Sequence, residues 1–380
     1  MKVLIAVTHL LGTGHLSRAL TLAQAFVREG HEAVVLSGGC PAPHLENETV
    51  PLVQLPPLAS DGVDFTKLLT DAGVEADEAY MSARQKQAAA AVQEMKPDVL
   101  ITELFPFGRR SLSQEFEALL KTAQALTPRP VVLSSVRDIL APPSKASKAT
   151  MARDRLKIYY EAVLVHADSD LTQLGVSWPV TSDVTRMLHY TGYVAPAAPQ
   201  PHPEGVGTGE VLVSAGGGSV GQALFESAIR AAKRSPLRWR ILVGGADKET
   251  RIAALKAQAN DPTIIIEAVR PDFRQMLHQA AASVSMCGYN TAMDVLQTGV
   301  PAVFVPFDEG GEVEQTLRAR SLSVQPAIEV LPAADLTPQN LLGELKRVLR
   351  DGRRSSSEFR MNGAAESVRI TQAILAELRS

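Results

Sequence analysis

The chain opens MKVLIAVTHLLGTGHLSRALTLA, residues 1–23, and this stretch decides the fold. Val3 to Val7 is a short, unbroken apolar run that reads as a strand covered on both faces. Gly12 and Gly14 punctuate the next residues, and from His15 to Gly30 the apolar positions recur at helical spacing. Ala33 to Ser37 is the next apolar run, so the order is strand, glycine turn, helix, strand. That order is a βα unit, which predicts a parallel sheet with its ligands at the C-terminal edge of the strands.

The alternation continues outward from this unit. Val99 to Thr102, Val131 to Ser135 and Ala162 to His166 read as further strands of the same sheet. Val194 to Gly209 is then rich in proline and glycine and nearly without apolar periodicity, which marks a linker. Beyond it the pattern restarts with strands at Val211 to Ser214, Arg238 to Val243, Thr263 to Ile266, Ser283 to Met286 and Ala302 to Val305, and a helix at Gln222 to Ser235. An α/β chain with two Rossmann-like domains is therefore expected: residues 1–194, a linker at 195–209, residues 210–362, and a closing helix within 363–380 whose partner domain the sequence leaves open.

Composition narrows the function class. With 45% hydrophobic and 21% charged residues and a formal net charge of -3, the chain has no general pull toward nucleic acid. Cys40 and Cys287 are too few for a disulfide framework or a Cys-rich metal site, and the eight histidines fall in unrelated contexts, so no metal site is expected. The opening apolar run is shorter than a signal-peptide core and no apolar stretch approaches the ~18 residues of a membrane span, so a cytoplasmic protein is expected, with any membrane contact peripheral at the inner face. Lys145, Lys148, Arg153, Arg155 and Lys157 beside Ile158 would suit such a contact, and equally a solvated helix face.

Four segments carry the chemistry. Gly12, Thr13, Gly14 and His15, with Arg18 one turn on, lie where a βα turn brings backbone and helix N-terminus close to a ligand. Ser17 stands where a dinucleotide fingerprint needs its third glycine, so that motif is absent. Gly216, Gly217 and Gly218 occupy the corresponding turn of the second domain, with more glycines than an ordinary βα turn needs. Glu103, Arg109 and Arg110 follow the Val99 strand and suit a general base and an anion site. In the last segment Gly288, Tyr289, Asn290 and Thr291 lead from a strand into a helix whose amides point at a diphosphate, and Asp294, one turn later, is placed to accept from ribose hydroxyls.

Residues 12–23 and 287–307, with Glu314, Gln315 and Arg318, resemble the two signatures of the N-acetylglucosaminyl transferases of lipid II synthesis. The first segment also resembles the loop of the UDP-sugar hydrolases of the pseudaminic-acid pathway. Residues 102–110, 135–140 and 190–194 are similar to a group of bacterial glycosyltransferases without an assigned substrate. The resemblance implies the GT-B architecture, two parallel sheets facing across a cleft, with the donor held by the C-terminal domain. It also implies donor-sugar contacts from Glu314 and Gln315 after the Gly310-Gly311 loop, and donor-side contact from Arg270; at position 294 the family has Glu where this chain has Asp.

The expected reaction is inverting, metal-independent transfer of a sugar from a nucleotide diphosphate, a UDP-sugar above others, to a lipid- or saccharide-linked acceptor. His15 is the expected base, for its near-neutral intrinsic pKa, and Glu103 the second candidate. No cofactor and no nucleic-acid partner are expected. A hydrolase using the same His15, a sugar 2-epimerase and a non-catalytic nucleotide-sugar-binding protein are the rival readings.

Overall fold

The computed structural model describes residues 1–45, 48–60, 67–308, 312–355 and 359–380. They form two compact units, Met1–Ala195 with Arg360–Ser380, and Pro196–Phe359.

The first unit runs β1 Lys2–Val7, α1 Gly14–Arg28, β2 Glu32–Gly39, β3 Leu52–Leu58, α2 Glu78–Met95, β4 Val99–Glu103, α3 Ser113–Gln124, β5 Val131–Arg137, α4 Ala146–Tyr159, β6 Ala162–His166, α5 Ser182–Thr185 and β7 Leu188–Tyr190. Its strands pair in parallel in the order β3-β2-β1-β4-β5-β6-β7. The order reverses between β1 and β4, and there the connecting helices leave toward opposite sides and open a crevice. The central strands are apolar because both faces are covered: every residue from Val3 to Val7, Val99 to Glu103 and Ala162 to His166 is buried. The two strands of this sheet that the sequence reading missed are both at its margins. β3 contains Pro56 and Pro57, which an edge strand tolerates, and β7 is too short to show a period.

Chain order continues in the second unit with β8 Glu210–Ser214, α6 Gln222–Ala232, β9 Arg238–Val243, α7 Lys248–Ala259, β10 Ile265–Ala268, α8 Phe273–Gln279, β11 Ala282–Ser285, α9 Tyr289–Thr298, β12 Ala302–Phe304, α10 Glu314–Leu322, β13 Ile328–Val330 and α11 Pro338–Asp351. This sheet is also parallel, β10-β9-β8-β11-β12-β13, with its switch point between β8 and β11. The expected strand at Thr263 begins two residues later, because Asp261 accepts from both the amide and the hydroxyl of Thr263 and holds a turn there.

The proline-rich stretch read as a linker lies against the second unit. Prolines lack an N–H but keep their carbonyls, and Gln297 Nε2 donates to Pro196 O at 2.8 Å while Arg274 Nη2 donates to Ala197 O at 3.1 Å. The final helix, α12 Gly363–Arg379, returns to the first unit, where Val368 and Ile370 join the core around α1. Gly363 permits this approach: a Cβ there would stand 2.3 Å from Gly192 O. No helix among the described residues is long and apolar enough to cross a membrane.

Candidate functional site

At the switch point of the first unit, the loop after β1 delivers His15 into the first turn of α1, and β4 ends on Glu103. His15 Nδ1 lies 3.0 Å from Glu103 Oε1. Arg18, one turn along α1, donates through Nη2 to the same oxygen. Ser135, the residue paired with Glu103 across β4 and β5, donates to Oε2 at 2.6 Å. Burial opposes ionisation of Glu103, but Arg18, His15 and Ser135 together outweigh it and hold the carboxyl below the ordinary carboxylate range. An ionised carboxylate has no hydrogen to give, so His15 Nδ1 must carry one. The imidazole is thereby fixed with its lone pair on Nε2. Arg18 Nη2, 3.1 Å from His15 Nδ1, is a second donor converging on the same oxygen.

This geometry changes two expectations. Glu103 is 1% exposed with both oxygens engaged, so its carboxylate stands as the hydrogen-bond partner of His15. His15 does not keep a near-neutral pKa: burial pushes it down to about 3, the bond to Glu103 opposes that, and Arg109, Arg18 and Arg137 add to it. The ring is neutral throughout the physiological range, so its lone pair is available without prior loss of a proton.

The other first-unit residues separate by exposure. Arg18 is buried and balances the charge of Glu103 instead of facing a ligand. Gly12 is exposed with open space around it, and Thr13 caps α1 without a side-chain bond, so the first amides of the helix, Gly14 among them, are not closed off by a capping side chain. Thr102 Oγ1 and Ser134 Oγ each donate to Phe105 O at 2.9 Å and pin the loop after β4. Arg109 follows with a left-handed φ of 58°, half exposed, and Arg110 is exposed with Nη1 on Phe107 O. In the basic stretch on α4, Arg153, Arg155 and Lys157 make ion pairs with Asp154, Glu117 and Asp183.

In the second unit the glycine loop is built from below. Gly244 and Gly245, which the sequence reading passed over, follow β9 beneath it; a Cβ on Gly244 would meet Gly216 O at 2.4 Å, and Gly245 N donates to Gly217 O at 3.0 Å. Gly217 and Gly218 stand exposed above. Gly288 caps α9 through its backbone alone, Asn290 is exposed and Thr291 half-buried, so the helix N-terminus is presented outward. Tyr289 is buried, with Arg318 over its ring and Arg318 Nη1 on Cys287 O, so its side chain serves packing.

Asp294 is buried and takes Arg274 Nε on Oδ1 at 2.6 Å. Burial raises its pKa to about 6 against the opposing pull of Arg274. Arg274, absent from the sequence reading, thus shares the carboxylate expected to meet a ribose. Gln315 accepts the Phe307 amide at 3.2 Å, and the Glu314 amide donates to Glu312 at 2.5 Å. Arg270 is engaged by both oxygens of Asp272. Gly310 and Gly311 lie outside the described residues.

Residues 212–374 match the model of the Glycosyltransferase family 28 C-terminal domain. The match lies within the C-terminal half of the chain. Over 96 residues the chain is 31% identical to the UDP-N-acetylglucosamine--N-acetylmuramyl-(pentapeptide) pyrophosphoryl-undecaprenol N-acetylglucosamine transferase of Corynebacterium efficiens, covering 25% of this chain and 26% of that protein. Over 159 residues it is 30% identical to the transferase of the same name from Brucella canis, covering 40% and 41%. The chain thus aligns with less than half the length of these relatives. Among solved structures, MurG of Acinetobacter baumannii superposes with a TM-score of 0.63 at 18% identity over 98% of this chain and 99% of that one. Glycosyltransferase VinC in complex with DTDP superposes with a TM-score of 0.66 at 15% identity over 99% and 100%. The fold of the chain is GT-B.

Proposed function

We propose that this chain is a glycosyltransferase that moves a sugar from a nucleotide diphosphate, a UDP-sugar, to an acceptor hydroxyl with inversion at the anomeric carbon. The observation that carries the reading is the His15–Glu103 pair at the switch point of the first unit. The acceptor oxygen attacks the anomeric carbon, the bond to the diphosphate breaks with its electron pair leaving on the phosphate oxygen, and the acceptor proton passes to His15 Nε2. The imidazolium so formed faces the Glu103 carboxylate, the role an acidic partner plays in other His-based catalysts. The amides of the glycine loop and the N-terminus of α9 meet the departing charge, so the scheme needs no metal ion. Donor binding by the second unit is supported by the family 28 match and by the relatives' names. Those names also favour a lipid-linked pyrophosphoryl acceptor over a free saccharide.

Thermal shift with UDP, dTDP and a panel of UDP-sugars identifies the donor, since a ligand of the native state raises its apparent stability. With the labelled donor in hand, His15→Ala lowers turnover by on the order of 10² to 10⁴ while UDP affinity holds. Asp294→Ala weakens UDP binding by more than about tenfold through lost ribose bonds. Full turnover in His15→Ala overturns the assignment. Free sugar as the sole product would mean hydrolysis, and UDP binding without turnover a binding protein.

A further inference from the structure

Beyond Glu103 the polar contacts continue into the sheet. Ser135 Oγ lies 2.9 Å from His166 Nε2, and His166 Nδ1 lies 2.9 Å from Thr191 Oγ1. These groups come from successive neighbours in the sheet: Glu103 ends β4, Ser135 lies in β5, His166 ends β6 and Thr191 follows β7. Ser135, His166 and Thr191 are each 2% exposed or less. Apolar side chains would fill these positions at lower cost, because a buried polar group is favourable only when its partners are in place.

The direction of the hydrogens nearest Glu103 follows from the ionised carboxylate. Ser135 must give its single hydrogen to Glu103 Oε2, so Ser135 Oγ accepts from His166 Nε2. Burial pushes His166 down to about 3, with Arg18 adding to the shift and Glu103 opposing it, so the ring is neutral and has no second hydrogen for Nδ1. Thr191 Oγ1 has one hydrogen and two acceptors within reach of it, Gly192 O at 2.7 Å and His166 Nδ1 at 2.9 Å. The row therefore runs one way from His166 to Ser135 and from Ser135 to Glu103, with His15 donating to Glu103 from the other side.

We propose that Ser135 and His166, backed by Thr191, are positioning residues that fix the tautomer and the titration of His15 by locking the Glu103 carboxylate. A glutamate's terminal torsion is broad, and Oε1 is shared by His15 and Arg18. Without an anchor on Oε2 the carboxylate can turn wholly toward Arg18 and release the imidazole. Ser135 supplies the anchor, and the His166 N–H sets which way its hydroxyl points. The inference rests on the reading of His15 as the base only for its consequence in turnover.

The test is nitrogen-15 NMR of the histidine rings in the full chain, with His15 assigned by its loss in His15→Gln. The groups that act on His15 are Glu103, Arg18, Arg109 and Arg137, and none is altered in the variants used. The wild type is expected to show His15 protonated on Nδ1 and not Nε2 from neutral pH down to well below its ordinary titration range. In Ser135→Ala and His166→Phe the two tautomers mix and the titration midpoint moves. His166→Gln, whose amide N–H reaches toward Ser135 as the ring does, restores the wild-type pattern. Turnover of the donor falls on the order of tenfold in the first two variants and recovers in the third, as outer partners of other functional histidines lead one to expect. An unchanged tautomer and midpoint in folded Ser135→Ala overturns the proposal, and this variant, which removes one oxygen, decides the matter if His166→Phe does not fold. A changed tautomer with unchanged turnover supports the positioning role and removes His15 as the base instead.

Discussion

Glu103→Ala is the substitution with the largest expected effect on the first unit. The carboxylate is 1% exposed and is held by Arg18, which is 4% exposed, by His15 and by Ser135. Removing one member of a buried ion pair leaves the other charge without compensation, at a cost of about 3–5 kcal/mol. The lost bond to Ser135 belongs to the same network and does not add in full. The chain has two units, so one denaturation curve mixes their transitions, whereas hydrogen exchange at the amides of β1, β4 and β5 reports on the first unit alone. A loss of about 3–5 kcal/mol lowers protection there by roughly 10² to 10⁴, since each 1.36 kcal/mol is tenfold. Glu103→Leu combined with Arg18→Met removes both charges and recovers most of the loss, because apolar replacement of a buried pair is often neutral. Protection within about threefold of wild type in Glu103→Ala would refute the reasoning, for it would mean that Arg18 finds water or another anion at no cost.

Two further outcomes are expected. His15 and His166 both have folded pKa values near 3 against an ordinary 6.5, so between those values the unfolded chain binds more protons, and the stability they contribute is complete above 6.5 and is lost as pH falls through the window. Each histidine adds about 1.4 kcal/mol per pH unit to the slope of first-unit stability there, and His166→Gln removes one such share; equal slopes in the two proteins count against it. In the second unit Gly221→Ala costs more than about 1 kcal/mol, because φ is +87° and the new Cβ would stand 2.3 Å from Ala215 Cβ. Gly217→Ala meets open space and leaves stability within about 0.5 kcal/mol while weakening UDP binding. Equal stability losses at both glycines would show that the loop is not divided into a supporting and a ligand-facing part.

The sequence made legible what depends on local pattern. Val3 to Val7 followed by glycines and a helical period is enough to announce a βα unit, and nearly every central strand of both sheets was readable in the same way. β3 and β7 were not, since an edge strand is relieved of the two-sided burial that writes a strand into the sequence. His15 and Glu103 were each legible as chemistry, but as rivals, because 88 positions separate them and only the parallel pairing of β1 with β4 brings them to one hydrogen bond. Ser135 and His166 looked like the ends of ordinary strands, and Thr191 lay in a stretch where no strand was read. The signal that would have singled them out is a polar residue closing several successive strands of one sheet, which is visible only once strand order is known. Arg274 was hidden for a related reason: its partner Asp294 sits on the next helix, and an arginine in a sequence carries no mark of the carboxylate it will meet.

One topology used twice carries two different sets of side chains at its switch points, and the contrast bears on why the proposed roles divide as they do. In the first sheet the strand beside β1 ends on Glu103; in the second the strand beside β8 ends on Ser285, paired in register with Ser214. A carboxylate is the partner an imidazole requires if it is to accept a proton, and Arg18 balances its charge so that the site as a whole is not anionic. The same carboxylate at the end of β11 would repel a diphosphate seated on the glycine loop and on the N-terminus of α9. Serine, small and uncharged, leaves that helix end to set the local potential, which is positive. The acidic residue that the second unit does keep, Asp294, lies one turn along α9 and is paired with Arg274, so its charge is offset as that of Glu103 is. The acid–base chemistry proposed for the first unit and the anion binding proposed for the second thus call for different residues at equivalent strand ends, and the chain has them.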